Sequence, residues 1–210
     1  MSEFMITFFK SRRRIERIYM KFKAVIFDMD GTLTVPMLEF GLIRREAGLP
    51  PEGDIISILG SLSEEKRRFA WKVIEQYENV ALDKMMLQEG VLDALEHFRK
   101  RKIRLGLLTR NSPKSVKAFI DKLGFEFDSV ITRDYPHLKP RPEPVLHMLE
   151  AWSLQPEDAL VVGDYIHDIE CGRAAGAKTC FFANPGRTSY AEFADYSVSS
   201  FDELLKIIKQ

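Results

Sequence analysis

The sequence predicts an α/β fold, a mainly parallel sheet with helices on both faces. Short, apolar, β-branched runs alternate strictly with segments whose apolar residues recur at three- and four-residue spacing. Polar and charged side chains follow directly on several of those runs, where open parallel sheets present their ligand crevice. A single interruption, residues 36–87, carries helical patterning and no strand.

The first strand is expected at residues 23–27 (KAVIF), apolar throughout as a strand buried on both faces should be. Further strands are expected at 104–108, 129–131, 159–162 and 179–182. Between them, Val91, Leu92, Leu95 and Phe98 mark one helix. Val116, Phe119, Ile120 and Leu123, closed by Gly124, mark a second, and Val145, Leu146, Met148 and Leu149 a third. Helices at 166–175, stopped by Gly176, and at 201–208 complete the core. In the interruption, helices are expected at 38–47, 55–59 and 63–77, punctuated by Gly48-Leu-Pro-Pro and Gly53. The organisation is therefore a core of residues 23–35 and 88–210, a helical insertion at 36–87 and an N-terminal extension at 1–22.

With 45% apolar and 30% charged residues over 210 positions, the chain falls outside the disordered, collagen-like and membrane-spanning classes. Thirty-one basic residues balance thirty-one acidic ones, so no global field draws the protein to nucleic acid or to an anionic membrane. The exception is the first 23 residues, with seven Lys/Arg against two Glu. Their apolar patch precedes the basic cluster, the reverse of a secretory signal. Met20, just before the first strand, suggests an upstream start or a frayed extension. Cys171 and Cys180 fit no zinc spacing and are expected as buried free thiols in a reducing, cytoplasmic setting.

The chemistry is expected at the strand ends. Asp28-Met-Asp30-Gly31-Thr32 follows the first strand, and Thr109-Arg110-Asn111-Ser112 the second. The loop after the third reaches Lys139, and Gly163-Asp164, with Asp168 beyond, follows the fourth. Carboxylates gathered on one edge repel unless a hard cation neutralises them, and an all-oxygen set suits magnesium. Thr109, Lys139 and the amides after the second strand would then hold a phosphoryl group. Taken singly, each residue has an ordinary structural role: Asp28 and Asp164 as turn or cap residues, Thr109 at a helix start, Lys139 as a loop lysine. Capping does not explain carboxylate, hydroxyl, lysine and carboxylate at four successive strand ends.

FDMDGTL, LLTRNS, LKPRPEP and VVGDYIHDIECGRAAG resemble, in order, the four motifs of the haloacid dehalogenase-like superfamily, and are most similar to its small phosphatases of the phosphoglycolate-phosphatase type. The resemblance covers residues 23–205 and implies a Rossmann-like core with a helical cap inserted after the first strand. It implies Asp28 as nucleophile and metal ligand, and Asp30 as general acid and base, with its main-chain carbonyl on the metal. Thr109, Arg110 and Asn111 would bind the phosphoryl group, Lys139 would steady Asp28 and the developing charge, and Asp164 would ligate Mg2+ with Asp168 as ligand or support.

The expected activity is magnesium-dependent hydrolysis of a small phosphorylated metabolite, with no nucleic acid or membrane partner, by a monomer or homodimer. A phosphomutase on the same core and a non-catalytic, receiver-like phosphate-binding protein are the alternatives. Arg44, Arg45, Lys66, Arg67, Arg68 and Lys72 in the cap are expected to form a solvated face. Trp71 and Trp152 are expected to pack, and the four histidines to sit at the surface or in hydrogen bonds.

Overall fold

The computed structural model describes residues 20–209, so the reading of the basic tail at residues 1–19 lies outside the described residues. Six strands, β1 (Ala24–Phe27), β2 (Arg104–Leu108), β3 (Ser129–Ile131), β4 (Ala159–Gly163), β5 (Lys178–Phe182) and β6 (Tyr196–Val198), form one sheet in the order β3-β2-β1-β4-β5-β6. Every neighbouring pair is parallel. The chain builds outward from β1 through β2 and β3, then returns to place β4 on the other side of β1. The crevice of such a sheet opens at that reversal, beyond the carboxyl ends of β1 and β4.

The two faces of β1 are set by its alternation. Val25 and Phe27 enter a core built with Leu95 and Phe98 of α4 (Val91–Lys100), Phe119 of α5 (Pro113–Leu123) and Leu204 of α8 (Phe201–Ile208). Ala24 and Ile26 face the opposite core, with Val145 and Met148 of α6 (Glu143–Trp152) and Cys171 of α7 (Ile166–Ala174). Local signals fix the helix ends. Ser112 accepts from the Ser115 amide at 3.1 Å to cap α5, Pro113 opens it, and Gly124 closes it at φ +67. Trp152 packs against the second core, and both cysteines are free and buried, burial pushing each thiol up to about 12.

The insertion after β1 is a helical cap of α1 (Phe40–Glu46), α2 (Ile55–Ser61) and α3 (Glu64–Asp83), with its own small core of Ala47, Leu49, Leu59, Ala70 and Val73. Its two connections run side by side: the Val35 amide donates to the Met86 carbonyl at 2.9 Å and the Gln88 amide to the Leu33 carbonyl at 3.0 Å. Arg45, Lys66, Arg68 and Lys72 are exposed, whereas Arg44 donates to the Pro50 carbonyl at 2.8 Å and so shapes the turn between α1 and α2.

Two elements differ from the sequence reading. β6 was not expected, because three residues with Ser197 exposed at a sheet edge leave no apolar run. Helix α3 continues past Tyr77 to Asp83, because its last turns pack on α5 and bury Glu78, a tertiary contact that apolar spacing does not record. Phe22 is buried and meets Tyr196 edge-on with ring centroids 6.2 Å apart. No helix among the described residues is long and apolar enough to cross a membrane.

Candidate active site

The pairing of Phe27 with Val162 brings the ends of β1 and β4 level, and the Asp28 amide donates to the Val162 carbonyl at 2.9 Å. Asp28 and Asp164 therefore leave adjacent strands at the point of reversal. Lys139, from the loop between β3 and α6, is buried beneath them, its ammonium 2.6 Å from Asp28 Oδ1, 2.6 Å from Asp168 Oδ1 and 2.9 Å from the Leu108 carbonyl. Asp168 accepts from the Tyr165 amide at 3.1 Å, which fixes its second oxygen at the start of α7. Gly163 makes this approach possible: a Cβ there would lie 2.2 Å from Cβ of Asp168.

Asp28, Asp164 and Asp168 each offer an oxygen, all within 4.8 Å of one another. Three carboxylates against the one ammonium of Lys139 leave a local deficit that suits a divalent cation, and the all-oxygen donor set fits magnesium. The protonation equilibria report the same crowding. Burial, with the neighbouring Asp28 and Asp168 charges, pushes Asp164 up to about 8. Burial also raises Asp28, to about 7, against the opposing pull of Lys139. Burial disfavours the charged form of Lys139, but Asp168 and Asp28 outweigh it and hold the ammonium protonated.

Asp30 is turned away from this cluster. Its Oδ2 accepts from Asn111 Nδ2 at 2.6 Å, and burial pushes its carboxyl up to about 6 although that bond favours the anion. Thr109 is buried at the end of β2, where its hydroxyl accepts from the Asn111 amide at 3.3 Å and its own amide donates to the Ile131 carbonyl at 3.0 Å. The strand ends thus carry two carboxylates in different surroundings, Asp28 on a lysine and Asp30 on an amide. Gly31 follows at φ +80, and a Cβ there would lie 1.9 Å from Asp164 Oδ2. Both the left-handed turn and the contact require glycine.

The guanidinium of Arg110 does not join the carboxylate cluster. It donates to Asp54 Oδ1 of the cap at 2.6 Å and lies 2.6 Å from His167 Nδ1, joining cap to core. Burial and the Arg110 charge keep the His167 imidazole below its usual range. A second junction is Arg133, after β3, which donates to Glu78 Oε1 of α3 at 2.6 Å and lies over the Trp71 ring, 4.4 Å from its centroid.

Asn184 was missed by the sequence reading. Its amide nitrogen donates to the Gly31 carbonyl at 2.7 Å and reaches Asp164 Oδ2 at 3.3 Å, while its Oδ1 accepts from Gln88 at 2.8 Å. It stands two residues beyond β5, so the strand-end rule that found the other positions would have found it had the fifth strand been included.

The family model for haloacid dehalogenase-like hydrolases matches residues 44–182. A haloacid dehalogenase-like hydrolase domain-containing protein of Arabidopsis thaliana is 31% identical over 207 residues, covering 90% of this chain and 84% of its own length. Pyrophosphatase PpaX of Bacillus mycoides is 29% identical over 215 residues, covering 91% of this chain and 99% of the relative. In fold, the chain is similar to a predicted phosphoglycolate phosphatase from Haemophilus somnus, with TM-score 0.71, 22% identity, and 89% of this chain and 98% of that one covered. By its four strand-end motifs, its capped parallel sheet and these matches, the chain belongs to the haloacid dehalogenase-like hydrolases.

Proposed function

We propose that the protein is a magnesium-dependent phosphatase that hydrolyses a small phosphorylated metabolite through a phosphoryl group carried on Asp28. The observation that supports this most is the separation of the two carboxylates after β1: Asp28 lies on the Lys139 ammonium at 2.6 Å, and Asp30 on Asn111, raised to about 6. Burial raises both carboxyls, Asp28 to about 7 and Asp30 to about 6, so their surroundings rather than those values separate the roles: the Lys139 ammonium favours the Asp28 anion, as a bound cation would, while Asp30 is left to exchange a proton near neutrality.

An oxygen of Asp28 attacks phosphorus, the bond from phosphorus to the ester oxygen breaks, and Asp30 gives its proton to the departing oxygen. Asp30, now a carboxylate, takes a proton from water as the water oxygen attacks phosphorus, and the bond to Asp28 breaks to release inorganic phosphate. Thr109 and Asn111 orient the transferring group, and Lys139 fixes Asp28 while offsetting charge that develops on the phosphoryl oxygens. Asp28, Asp164 and the main-chain carbonyl of Asp30 would hold Mg2+, with Asp168 as a further ligand or as support. The ion would supply electrophilic stabilisation of the phosphoryl oxygens.

The reading is tested by assaying small phosphate esters with and without Mg2+, measuring both inorganic phosphate and isomerised ester. Phosphate release that requires Mg2+ supports it; an isomerised ester without phosphate release would identify a mutase instead.

A further inference from the structure

One face of α3 converges on a single side chain of the core. Trp71, Glu75 and Glu78, at i, i+4 and i+7, all meet Arg133 of the loop after β3. The Trp71 ring centroid lies 4.4 Å from its guanidinium, Glu75 Oε1 accepts at 3.3 Å and Glu78 Oε1 at 2.6 Å. The other oxygen of Glu78, Oε2, accepts from the Ser115 hydroxyl at 3.0 Å, and that hydroxyl is 2.7 Å from the Ser112 hydroxyl that caps α5. Arg133 in turn holds the start of the same segment, its amide donating to the Asn111 carbonyl at 3.0 Å. The stretch from Asn111 to Ser115 is thus held at both ends by groups that meet on one carboxylate of the cap.

We propose that Glu78 is a positioning residue for Asp30, acting through Arg133, Ser115 and Asn111 to fix which oxygen of the Asp30 carboxyl carries the proton. The inference rests on the phosphatase reading above, which makes Asp30 the proton donor. Asn111 Nδ2 donates to Asp30 Oδ2 at 2.6 Å, so in the neutral carboxyl the proton stands on Oδ1. An Asn111 free to turn would release that choice, and the orientation of the carboxyl with it. Glu78 is 4% exposed, Ser115 3% and Asn111 8%, so these bonds are made in a nearly dry interior, where a satisfied polar network holds one arrangement. Arg133 neutralises Glu78, so the effect passes through contacts and not through an uncompensated field. Desolvation offsets much of the attraction in a buried ion pair, which leaves geometry as its main contribution here.

The test compares kcat/KM for propyl phosphate and acetyl phosphate in Mg2+. Acetate leaves as a stable anion whereas propoxide needs a proton, so the ratio of the two reads proton donation and cancels losses common to both. The proteins are wild type, Asp30→Asn, Glu78→Ala and Ser115→Ala, the last removing one arm of the network while keeping the ion pair with Arg133. The propyl-to-acetyl ratio is expected to fall furthest in Asp30→Asn, by about tenfold or more in Glu78→Ala, and severalfold in Ser115→Ala at an unchanged melting temperature. A Glu78 that only supports the fold would lower both probes alike. A ratio unmoved or raised in every folded variant of Glu78 and Ser115 would overturn the proposal, as would a wild type that turns over acetyl phosphate alone. A ratio unmoved in Asp30→Asn, or no turnover of either probe, would instead defeat the phosphatase reading, and with it the role given to Glu78.

Discussion

Arg110 of the core and Asp54 of the cap are joined at 2.6 Å, across the mouth of the site and within reach of His167. Asp54 has a second duty: it caps α2, accepting from the Ser57 amide at 2.9 Å, and these bonds hold its carboxyl below the usual range although burial opposes them. The two duties separate by mutation. Asp54→Ala should remove both cap and latch and cost about 1 kcal/mol, whereas Arg110→Ala should leave α2 capped and release only the latch. Hydrogen exchange across α2 and α3 should quicken in both, with a loss of melting temperature larger for Asp54→Ala.

The buried carboxylates make the metal-free protein sensitive to base. Asp30, Asp28 and Asp164 are raised to about 6, 7 and 8, each above its ordinary value of 3.8. Groups with raised folded-state values favour the fold at pH below the unfolded value, and that contribution is lost as pH rises through the folded values. Mg2+ binds the deprotonated carboxylates and opposes the loss. The rise in melting temperature on adding Mg2+ should therefore grow between about pH 5.5 and about pH 8, by a few degrees. An increment that is flat or shrinking with pH would contradict this electrostatic account.

Gly31→Ala is expected to be costly for a methyl group. The added Cβ meets Asp164 Oδ2 at 1.9 Å and the backbone is at φ +80, so destabilisation of about 1–3 kcal/mol should accompany weaker Mg2+ binding. Denaturant unfolding and calorimetric titration would measure the two effects separately.

Asn184→Ala removes the amide that links Gly31 and Asp164 without touching the carboxylate cluster itself. Mg2+ affinity should fall by about tenfold or more, with little change in metal-free stability, because orienting a ligand is the main role assigned to it. Equal losses in both would make Asn184 a packing residue only.

Much of this arrangement was legible in the sequence. Runs such as AVIF and ALVVG are apolar because β1 and β4 are buried on both faces, and the residues that follow them, Asp28 and Asp164, meet at the strand reversal. What was not legible depends on packing between distant segments. Glu78 lies just past the 63–77 helix that the apolar spacing marks, and only packing against α5 and Arg133 gives it a place; Arg110 was expected to offer an amide to the phosphoryl group, and the hold of Asp54 on its guanidinium depends on the cap coming across. β6 fails for a different reason: its Tyr-Ser-Val run has a serine at its centre, whereas β3, equally short and exposed at the other edge, shows the adjacent apolar pair Val130 and Ile131.

The most direct measurement is to trap and map the phosphorylated residue. Wild type, Asp28→Asn and Asp30→Asn would be mixed with acetyl phosphate and Mg2+, quenched, reduced with borohydride, and read by peptide mass spectrometry. The account predicts modification at Asp28 in wild type, accumulation at Asp28 in Asp30→Asn because water is no longer activated, and neither modification nor turnover in Asp28→Asn. Phosphate release that persists in Asp28→Asn, or a phosphoryl group mapped to another residue, would contradict it.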